Sequence, residues 1–521
     1  MFPRVGGLIL ALTPQQYCAG AFNPFEVAFV RSRVTREPDS NAQWTYAVRT
    51  TTAPVFRIRN EQCMSQLDAN AKPRRNVEAA LLVVALAIGI GASAMVSLDR
   101  GTTLGQDFWS QAATLTVLAA VVHIVLRVRA SYADPLILPI VVALNGIGIA
   151  VIQSLDLNTG NDAGANQIKW TAVSVLIAAA VLWFLKDHRV LARYTFISLA
   201  VSTVLLILPL VPGISAGDIN GASVWIRLGP LQFQPGEIVK ITLGIFFAGY
   251  LSTHRDLILL AGRKIGPLQF PRVKDMGPMV TAWAASVGVL VFQHDLGMSI
   301  LFFGLFMVMI YVATSRVTWV LLGLVLMAAG GYAAARIFPH VGLRFDSWLN
   351  AFDPAVYDRF PGGSSQVVQG LFGMASGGLV GTGLGLGRPD LVPFANSDMI
   401  IASLGEGLGL IGLFAIIALY LLLFTRGFRA ALGTRDTFGK LMACGLSFAM
   451  AIQCFIIMGG VTRLIPLTGL TTPFLSAGGS SLLANWIIVA LLLRISDAAR
   501  RPHATGPLPT GLDETVGTPV R

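Results

Sequence analysis

Residues 376–409 read SGGLVGTGLGLGRPDLVPFANSDMIIASLGEGLG. A glycine-rich, irregular stretch runs straight into an apolar segment long enough to cross a membrane. Asp398 stands at the junction, and Glu406 follows eight residues later. An ionisable group at membrane depth costs roughly 3 kcal/mol or more, which makes each acid a functional-site candidate by position alone. The rest of the chain reads as a scaffold that holds this junction.

The chain has 521 residues, of which 54% are hydrophobic and only 12% charged, against about 25% charged in soluble domains. Long apolar runs without ten-residue alternation exclude a β-barrel and imply an all-α polytopic membrane protein. Windows of about 20 apolar residues give twelve transmembrane helices, at 76–97, 107–128, 135–155, 169–186, 194–213, 234–252, 277–293, 296–314, 317–338, 399–425, 438–462 and 476–495. The pair meeting at His294-Asp295 is the weakest division, a tight turn or a broken helix. Basic residues gather after the even-numbered spans: Arg127 and Arg129; Lys186, Arg189 and Arg193; Arg255 to Lys274; Arg316; Arg426 to Lys440; Arg494 to Arg501. The alternate loops carry few. By the positive-inside rule both termini are cytoplasmic, and the loop 339–396, with Asp398 at its end, is extracellular. The net charge of +11 is therefore an orientation signal rather than a nucleic-acid surface.

Residues 1–73 match the rest poorly. Val5–Leu12 is too short to span, and the remainder is polar and irregular. It reads either as a disordered cytoplasmic tail or as sequence upstream of a true start at Met64, the second being preferred. Two spans occupy 74–134, ten occupy 135–498, and a Pro, Gly and Thr-rich tail from 499 reads as disordered. No cleavable secretory signal is evident. Of the four cysteines, Cys18, Cys63, Cys444 and Cys454, none shows metal-ligand spacing. Cys444 and Cys454 lie about 15 Å apart on one helix, too far for a disulfide.

Asp398 has two readings. A carboxylate at the outer end of a helix suits a general base that takes a proton from an acceptor hydroxyl, and Asp is also a good helix cap. Glu406 reads more readily as a structural hydrogen-bonding group than as a catalyst. In the segment 225–240, WIRLGPLQFQPGEIVK, Glu237 and Lys240 share a helix face. They form either an internal pair holding helices together or, with Arg227, a cationic site for a pyrophosphate. Asp295 in Gln293-His294-Asp295-Leu296-Gly297 is best read as the cap of the next span, and the lone His-Asp pair supports neither a catalytic pair nor a metal site. The run Gly381–Gly387 follows no strand and carries no dinucleotide fingerprint. Segment 339–396 contains an apolar stretch, Val367–Ala375, with the pattern of a short interfacial helix. Segment 466–485, PLTGLTTPFLSAGGSSLLAN, re-enters the membrane with broken backbone, which is tolerated only against protein or a cavity.

Several motifs occur in one order: NGASVWIRLGPLQFQPGEIVK, QHDLG, the Asp353-Pro354 pair, the glycine-rich loop, SDMIIASLGEGLGLIG and PLTGLTTPFLSAGGSS. Over 135–498 the chain resembles the shape, elongation, division and sporulation (SEDS) family of RodA, FtsW and SpoVE proteins. The resemblance implies a ten-helix core, preceded here by two additional N-terminal helices, with one large extracellular loop. It implies a peptidoglycan glycosyltransferase that polymerises lipid II into β-1,4 glycan strands on the outer face of the cytoplasmic membrane. The family's essential aspartate matches Asp398. Its QPSE-x-x-K acid and lysine match Glu237 and Lys240, its QPDLG aspartate matches Asp295, and its EELG acid matches Glu406. Departures are Gly236 for Ser, His294 for Pro, Asn396-Ser397 for His-Thr, Gly407 for the second Glu and Ala477 for Tyr. The additional spans and the C-terminal wording resemble the RodA type of high-GC Gram-positive bacteria, which implies elongation rather than FtsW-type division.

On that reading Asp398 is the catalytic base, and Lys240, Arg227 and Arg344 are candidates for the pyrophosphate. The sequence shows no all-protein metal cage, which leaves open a divalent cation at the pyrophosphate. The implied partners are lipid II, membrane lipid and a class B penicillin-binding transpeptidase, and no nucleic acid. Two rival readings are a lipid II flippase and a non-catalytic scaffold, which would leave Asp398 dispensable.

Overall fold

A computed structural model describes residues 33–38, 44–49 and 73–502, apart from 100, 102, 103, 161, 219–221, 230, 261, 262, 266, 267, 271 and 272. The expectations for the true start, for Cys18 and Cys63, and for the tail beyond residue 502 lie outside these residues, whereas Ala499 and Arg500, expected to begin that disordered tail, are helical. Part of the N-terminal region read as irregular is instead an antiparallel hairpin of β1 (Arg33–Pro38) and β2 (Trp44–Arg49), in register from Arg33↔Arg49 to Pro38↔Trp44. Trp44, Thr45, Tyr46 and Val48 of β2 carry the strand signal that was missed.

Pro73–Arg500 forms the membrane unit. Its first helices are α1 (Arg75–Asp99), α2 (Gln106–Arg129), α3 (Ile137–Thr159) and α4 (Ala163–Phe184). A 3₁₀ turn, His188–Tyr194, leads into α5 (Thr195–Ile207), and a hairpin of β3 (Ile226–Leu228) and β4 (Leu231–Phe233) leads into α6 (Gly236–Leu260). A second hairpin, β5 (Arg263–Ile265) and β6 (Leu268–Phe270), precedes α7 (Val273–Phe292), α8 (Leu296–Thr314) and α9 (Val317–Ile337). Each of the twelve expected spans falls on a helix, the last three being described below; the one expected at 194–213 falls on the 13-residue α5, which reaches membrane length only with its flanking 3₁₀ turns, over 188–210. Ten of the described helical segments are long and apolar enough to cross a membrane.

The segment 339–396 is not one open loop. It carries α10 (Pro339–Leu349), α11 (Pro354–Tyr357) and α12 (Ser365–Gly377). Pro339 opens α10 at a position where its missing N–H is harmless. Asp353 caps α11, its Oδ1 accepting from Ala355 N at 2.9 Å. The expected interfacial helix at 367–375 is α12, longer by two residues at each end. After it come α13 (Ile400–Gly433), α14 (Thr437–Val461) and α15 (Gly479–Arg500).

Burial sorts the helices. A membrane-length window of α3 is 89% buried, whereas that of α9 is 6% buried and faces outward along nearly its whole length. Lipid gives apolar surfaces little reason to associate, so bundles close through small residues and polar contacts. Gly89 of α1 meets Gly146 of α3 backbone to backbone, and a Cβ on either would stand 2.7–2.9 Å from the other's Cα. Buried polar groups span elements far apart in sequence. Arg494 donates to Arg129 O at 2.7 Å, Tyr132 N to Asp497 Oδ1 at 2.9 Å, and Gln167 Nε2 to Ser476 O at 3.0 Å. Both described cysteines, Cys444 and Cys454, are free thiols.

Candidate active site

The first two turns of α13 are separate from the rest of it. Gly409 has φ +66° and ψ −171°, a conformation inside no helix, so 400–408 is a half-helix and the long membrane segment begins after the break. The span expected at 399–425 therefore starts about ten residues late, because Gly409 interrupts an apolar run that hydropathy reads as continuous. The glycine-rich segment after α12 wraps this break. Thr382 N donates to Glu406 O at 2.9 Å and Gly383 N to Gly407 O at 3.0 Å, while Leu410 N and Ile411 N donate to Gly378 O and Leu379 O at 3.0 and 3.1 Å. The Glu406 carboxylate accepts from Arg388 N at 2.7 Å. Glu406 is thus a buried clamp on the glycine-rich segment, in keeping with its structural reading, though its partner is a loop rather than a neighbouring helix.

Asp398 precedes the half-helix and does not cap it; Met399 holds the cap position, and no side chain fills that role. Its two carboxylate oxygens accept from Gln366 Nε2 of α12 at 3.3 and 3.2 Å. Ser397 Oγ lies 3.3 Å from Oδ1. The carboxyl, on a half-buried residue, is pushed up to about 6, chiefly by burial, against the opposing pull of Gln366, Ser397 and the nearby Arg344. The turn that carries it is tied to the second broken segment. Ala477 N donates to Asn396 O at 2.7 Å, Ser476 Oγ to Ser397 O at 2.5 Å, and a Cβ on Gly469 would stand 4.0 Å from Asp398 Oδ2.

Arg344 of α10 lies between two acids. Its Nη1 donates to Leu467 O and Thr468 O at 3.2 and 2.9 Å. Burial disfavours its charge, and Asp295 and Asp398 support it. Asp295 caps α8, accepting from Met298 N at 2.9 Å, as its sequence reading anticipated. Burial raises its carboxyl to about 6, opposed first by the Met298 N–H and then by Arg344. His294, at φ +60°, forms the tight turn between α7 and α8, and its ring lies 4.3 Å from that of His340 in α10.

The structure therefore brings Asp398, Arg344 and Asp295 together and leaves the other candidates elsewhere. Lys240 is 0% exposed and pairs with Glu237 at 2.6 Å. Its Nζ also donates to Gln453 of α14 at 2.9 Å and to Asn485 of α15 at 3.1 Å. Of the two readings open for this pair, the enclosed geometry carries the structural one, because an ammonium with three protein partners and no surface presents no charge to a ligand. Gln453 in turn donates to Thr471 O at 2.9 Å, so the pair braces the broken segment that meets Asp398. Arg227 is exposed on β3, its backbone N–H bonded to Ile214 O at 2.9 Å, and is not among the charges that act on Asp398.

Sequence reasoning missed Gln366, Gln453 and Asn485. Gln366 lies at the edge of the stretch read as an interfacial helix, and its signal was a polar side chain one position ahead of Val367. Gln453 and Asn485 are amides in otherwise apolar spans, a pattern that marks interhelical hydrogen bonds. Among the described residues, no three His, Cys, Asp or Glu side chains gather to hold a metal. An open cleft of about 420 Å³, lined by Trp348, Leu349, Leu371, Thr462 and Arg463, lies among the same elements. Trp348 stands one turn beyond Arg344 on α10. There Arg463 donates to Trp348 O at 2.8 Å and Leu349 O at 3.1 Å.

The FtsW, RodA and SpoVE family model, described as a cell cycle protein, matches residues 135–501. A peptidoglycan glycosyltransferase RodA of Mycobacterium tuberculosis is 47% identical over 455 residues, covering 86% of this chain and 96% of that one. The corresponding RodA of Mycobacterium leprae is 44% identical over 461 residues, with 85% and 96% covered. A chain from a peptidoglycan synthase complex, solved to describe the coordination of polymerization and crosslinking, superposes with a TM-score of 0.57 at 25% identity. That match covers 70% of this chain and 98% of the other.

Proposed function

The chain belongs to the FtsW, RodA and SpoVE family of cell cycle proteins, and on that premise we propose that it is a peptidoglycan glycosyltransferase polymerising lipid II for cell elongation. The observation that carries the reading is the recessed Asp398 carboxyl. It is held from one side by Gln366, stands beside Arg344, and lies where two glycine-broken segments meet.

The chemistry follows from that arrangement. Ionised Asp398 accepts the proton of the acceptor's GlcNAc 4-hydroxyl. The freed oxygen attacks the donor's MurNAc anomeric carbon from the face opposite the leaving group. The bond to the polyprenyl pyrophosphate breaks, its electrons leave with the pyrophosphate, and a β-1,4 linkage forms with inversion. Negative charge grows on the departing pyrophosphate, where a fixed cation contributes most. Arg344 is the first candidate, because it lies between Asp295 and Asp398, whose charges support its own against burial. Arg227, exposed on its hairpin, is the second. Lys240 with Glu237 serves from beneath by bracing the broken segment. Asp295 fixes the start of α8 and shares Arg344, and Glu406 clamps the glycine-rich segment. A divalent cation at the pyrophosphate would take its ligands mainly from the substrate.

The loop charges support placing this site on the outer face with both termini in the cytoplasm, where the substrate arrives already activated by its pyrophosphate. The relatives named RodA support elongation. The synthase-complex neighbour supports a crosslinking partner, a class B penicillin-binding protein. The test is a glycan polymerisation assay on purified protein with such a partner and lipid II, comparing wild type with Asp398→Asn. Long chains from wild type alone are expected. Chains from both would move the base elsewhere. Chains from neither, together with lipid II translocation in vesicles, would replace the polymerase by a flippase.

A further inference from the structure

The two N-terminal helices α1 and α2 lie outside the residues that the family model matches, yet α1 reaches the segment that wraps the catalytic junction. A Cβ on Gly385 would stand 2.8 Å from Asp99 Cβ and 3.1 Å from Val96 O, and one on Gly383 would stand 3.3 Å from Asp99 Oδ2. Only glycine at 385 lets the loop backbone lie this close to the last turn of α1. The same loop is pinned from α3, whose Ser154 Oγ donates to Leu384 O at 2.6 Å.

The helix is fixed along its whole length. At its start Arg75 pairs with Glu78 and donates to Ala133 O, and His123 of α2 meets Glu78 at 2.8 Å. At its middle Gly89 crosses Gly146. Near its end Ser93 meets Gln111 of α2 at 3.3 Å. Beyond residues 383–385 the contact continues without a gap. Thr382 and Gly383 are hydrogen-bonded to Glu406 and Gly407 of the half-helix, the Glu406 carboxylate holds Arg388 N, and the half-helix begins two residues after Asp398.

We propose that α1 is a positioning element of the polymerase site: its Val96–Asp99 turn and Ser154 of α3 clasp residues 383–385, and this clasp sets the half-helix that follows Asp398. The inference rests on the reading of Asp398 as the catalytic base. Val96, Asp99, Ser154 and Gly385 touch neither substrate nor the reacting atoms, and act through the loop.

Gly385→Ala forces the loop off α1. Its expected effect on full-length protein with its partner is a fall of about 10- to 100-fold in kcat for lipid II polymerisation, with KM little changed, as a small misplacement of a catalytic group produces. Asp99→Gly removes the nearest obstructing atom, so the double variant Gly385→Ala/Asp99→Gly is expected to recover part of that kcat. Gly91→Ala, on the same helix with nothing within 4 Å of the added Cβ, is expected to behave as wild type. Thermal unfolding in detergent checks that each variant is folded. Unchanged kcat in folded Gly385→Ala overturns the proposal, as does loss that Asp99→Gly leaves untouched. If Gly385→Ala does not fold, Gly89→Ala, which wedges α1 from α3, decides: turnover equal to that of Gly91→Ala overturns the proposal, and a selective fall in kcat supports it. Absence of chains from wild type in the same assay would instead overturn the polymerase reading itself.

Discussion

Lys240 and Arg344 are both cations removed from water, and they are held differently. Lys240 is closed on every side: a carboxylate three residues away, two amides from neighbouring helices, and no exposed surface. Arg344 donates to two backbone carbonyls of the broken segment, and two acids stand near it without closing an ion pair. The resemblance offers both as pyrophosphate candidates, since a cation fixed at a departing pyrophosphate stabilises the charge that builds there. Their surroundings separate them. A cation closed in an ion pair with two further amide partners specifies how helices assemble, whereas one beside two acids without an ion pair keeps more of its charge uncompensated.

The largest effect is expected at the acid beside Arg344. Asp398→Asn should lower polymerisation by about a thousandfold or more, the upper range for loss of a positioned general base. Folding should be nearly unchanged, because the amide keeps contact with Gln366 and Ser397 at a loop edge. Product chain length on gels and a thermal melt of the same preparation check both parts. Unfolding of the variant would make Asp398 a structural residue like Lys240 and erase the distinction.

The closed cluster should respond in the opposite sense. Lys240→Met leaves Glu237 buried and unpaired and should destabilise the bundle by about 3 kcal/mol. Removing both charges, as Glu237→Gln/Lys240→Met, should restore most of that stability and a measurable part of the turnover. Thermal melts and the polymerisation assay read the two outcomes. A double variant that folds as wild type and makes no chains would return Lys240 to the substrate site.

How far these roles were legible in the sequence differs by element. The membrane helices were readable because membrane depth demands about 20 apolar residues wherever the chain crosses. Loop charge placed Asp398, at the end of segment 339–396, on one side of the bundle. The fate of Lys240 was not readable, since its decisive partners, Gln453 and Asn485, lie 213 and 245 residues away, and spacing says nothing about which amides a fold brings together. The break at Gly409 was hidden for another reason: a positive φ leaves no mark on hydropathy. The helices α10 and α11 were overlooked because short amphipathic segments resemble loops in composition.

Arg344→Gln should lower turnover by about a hundredfold, the cost typical of losing one fixed group that stabilises developing charge. KM for lipid II should rise less than kcat falls. Gln is shorter than Arg and gives up the contacts to Leu467 O and Thr468 O, so a thermal melt of the same preparation checks that the bundle remains folded. Equal loss from Arg227→Gln would spread the electrostatic role over both cations and weaken the contrast with Lys240.

The smallest effect, and the sharpest, is in pH. A base must be ionised, so wild-type turnover should fall as pH drops through about 6, where burial holds the Asp398 carboxyl. Gln366 lowers that value more than Arg344 does. Gln366→Leu should therefore move the acid limb upward by more than Arg344→Gln, even though Arg344→Gln loses more turnover at its plateau. Stability carries the opposite sign. The folded chain holds the Asp398 proton at pH values where the unfolded chain, near 3.8, has released it, so folding stability from this group is lost as pH rises from 3.8 to about 6. Over that window activity is gained while stability is lost, and Asp398→Asn should abolish this contribution to the slope of Tm against pH. A wild-type slope identical to that of Asp398→Asn would mean that the carboxyl is no more destabilised in the fold than in water, and the recessed-base assignment would fall with it.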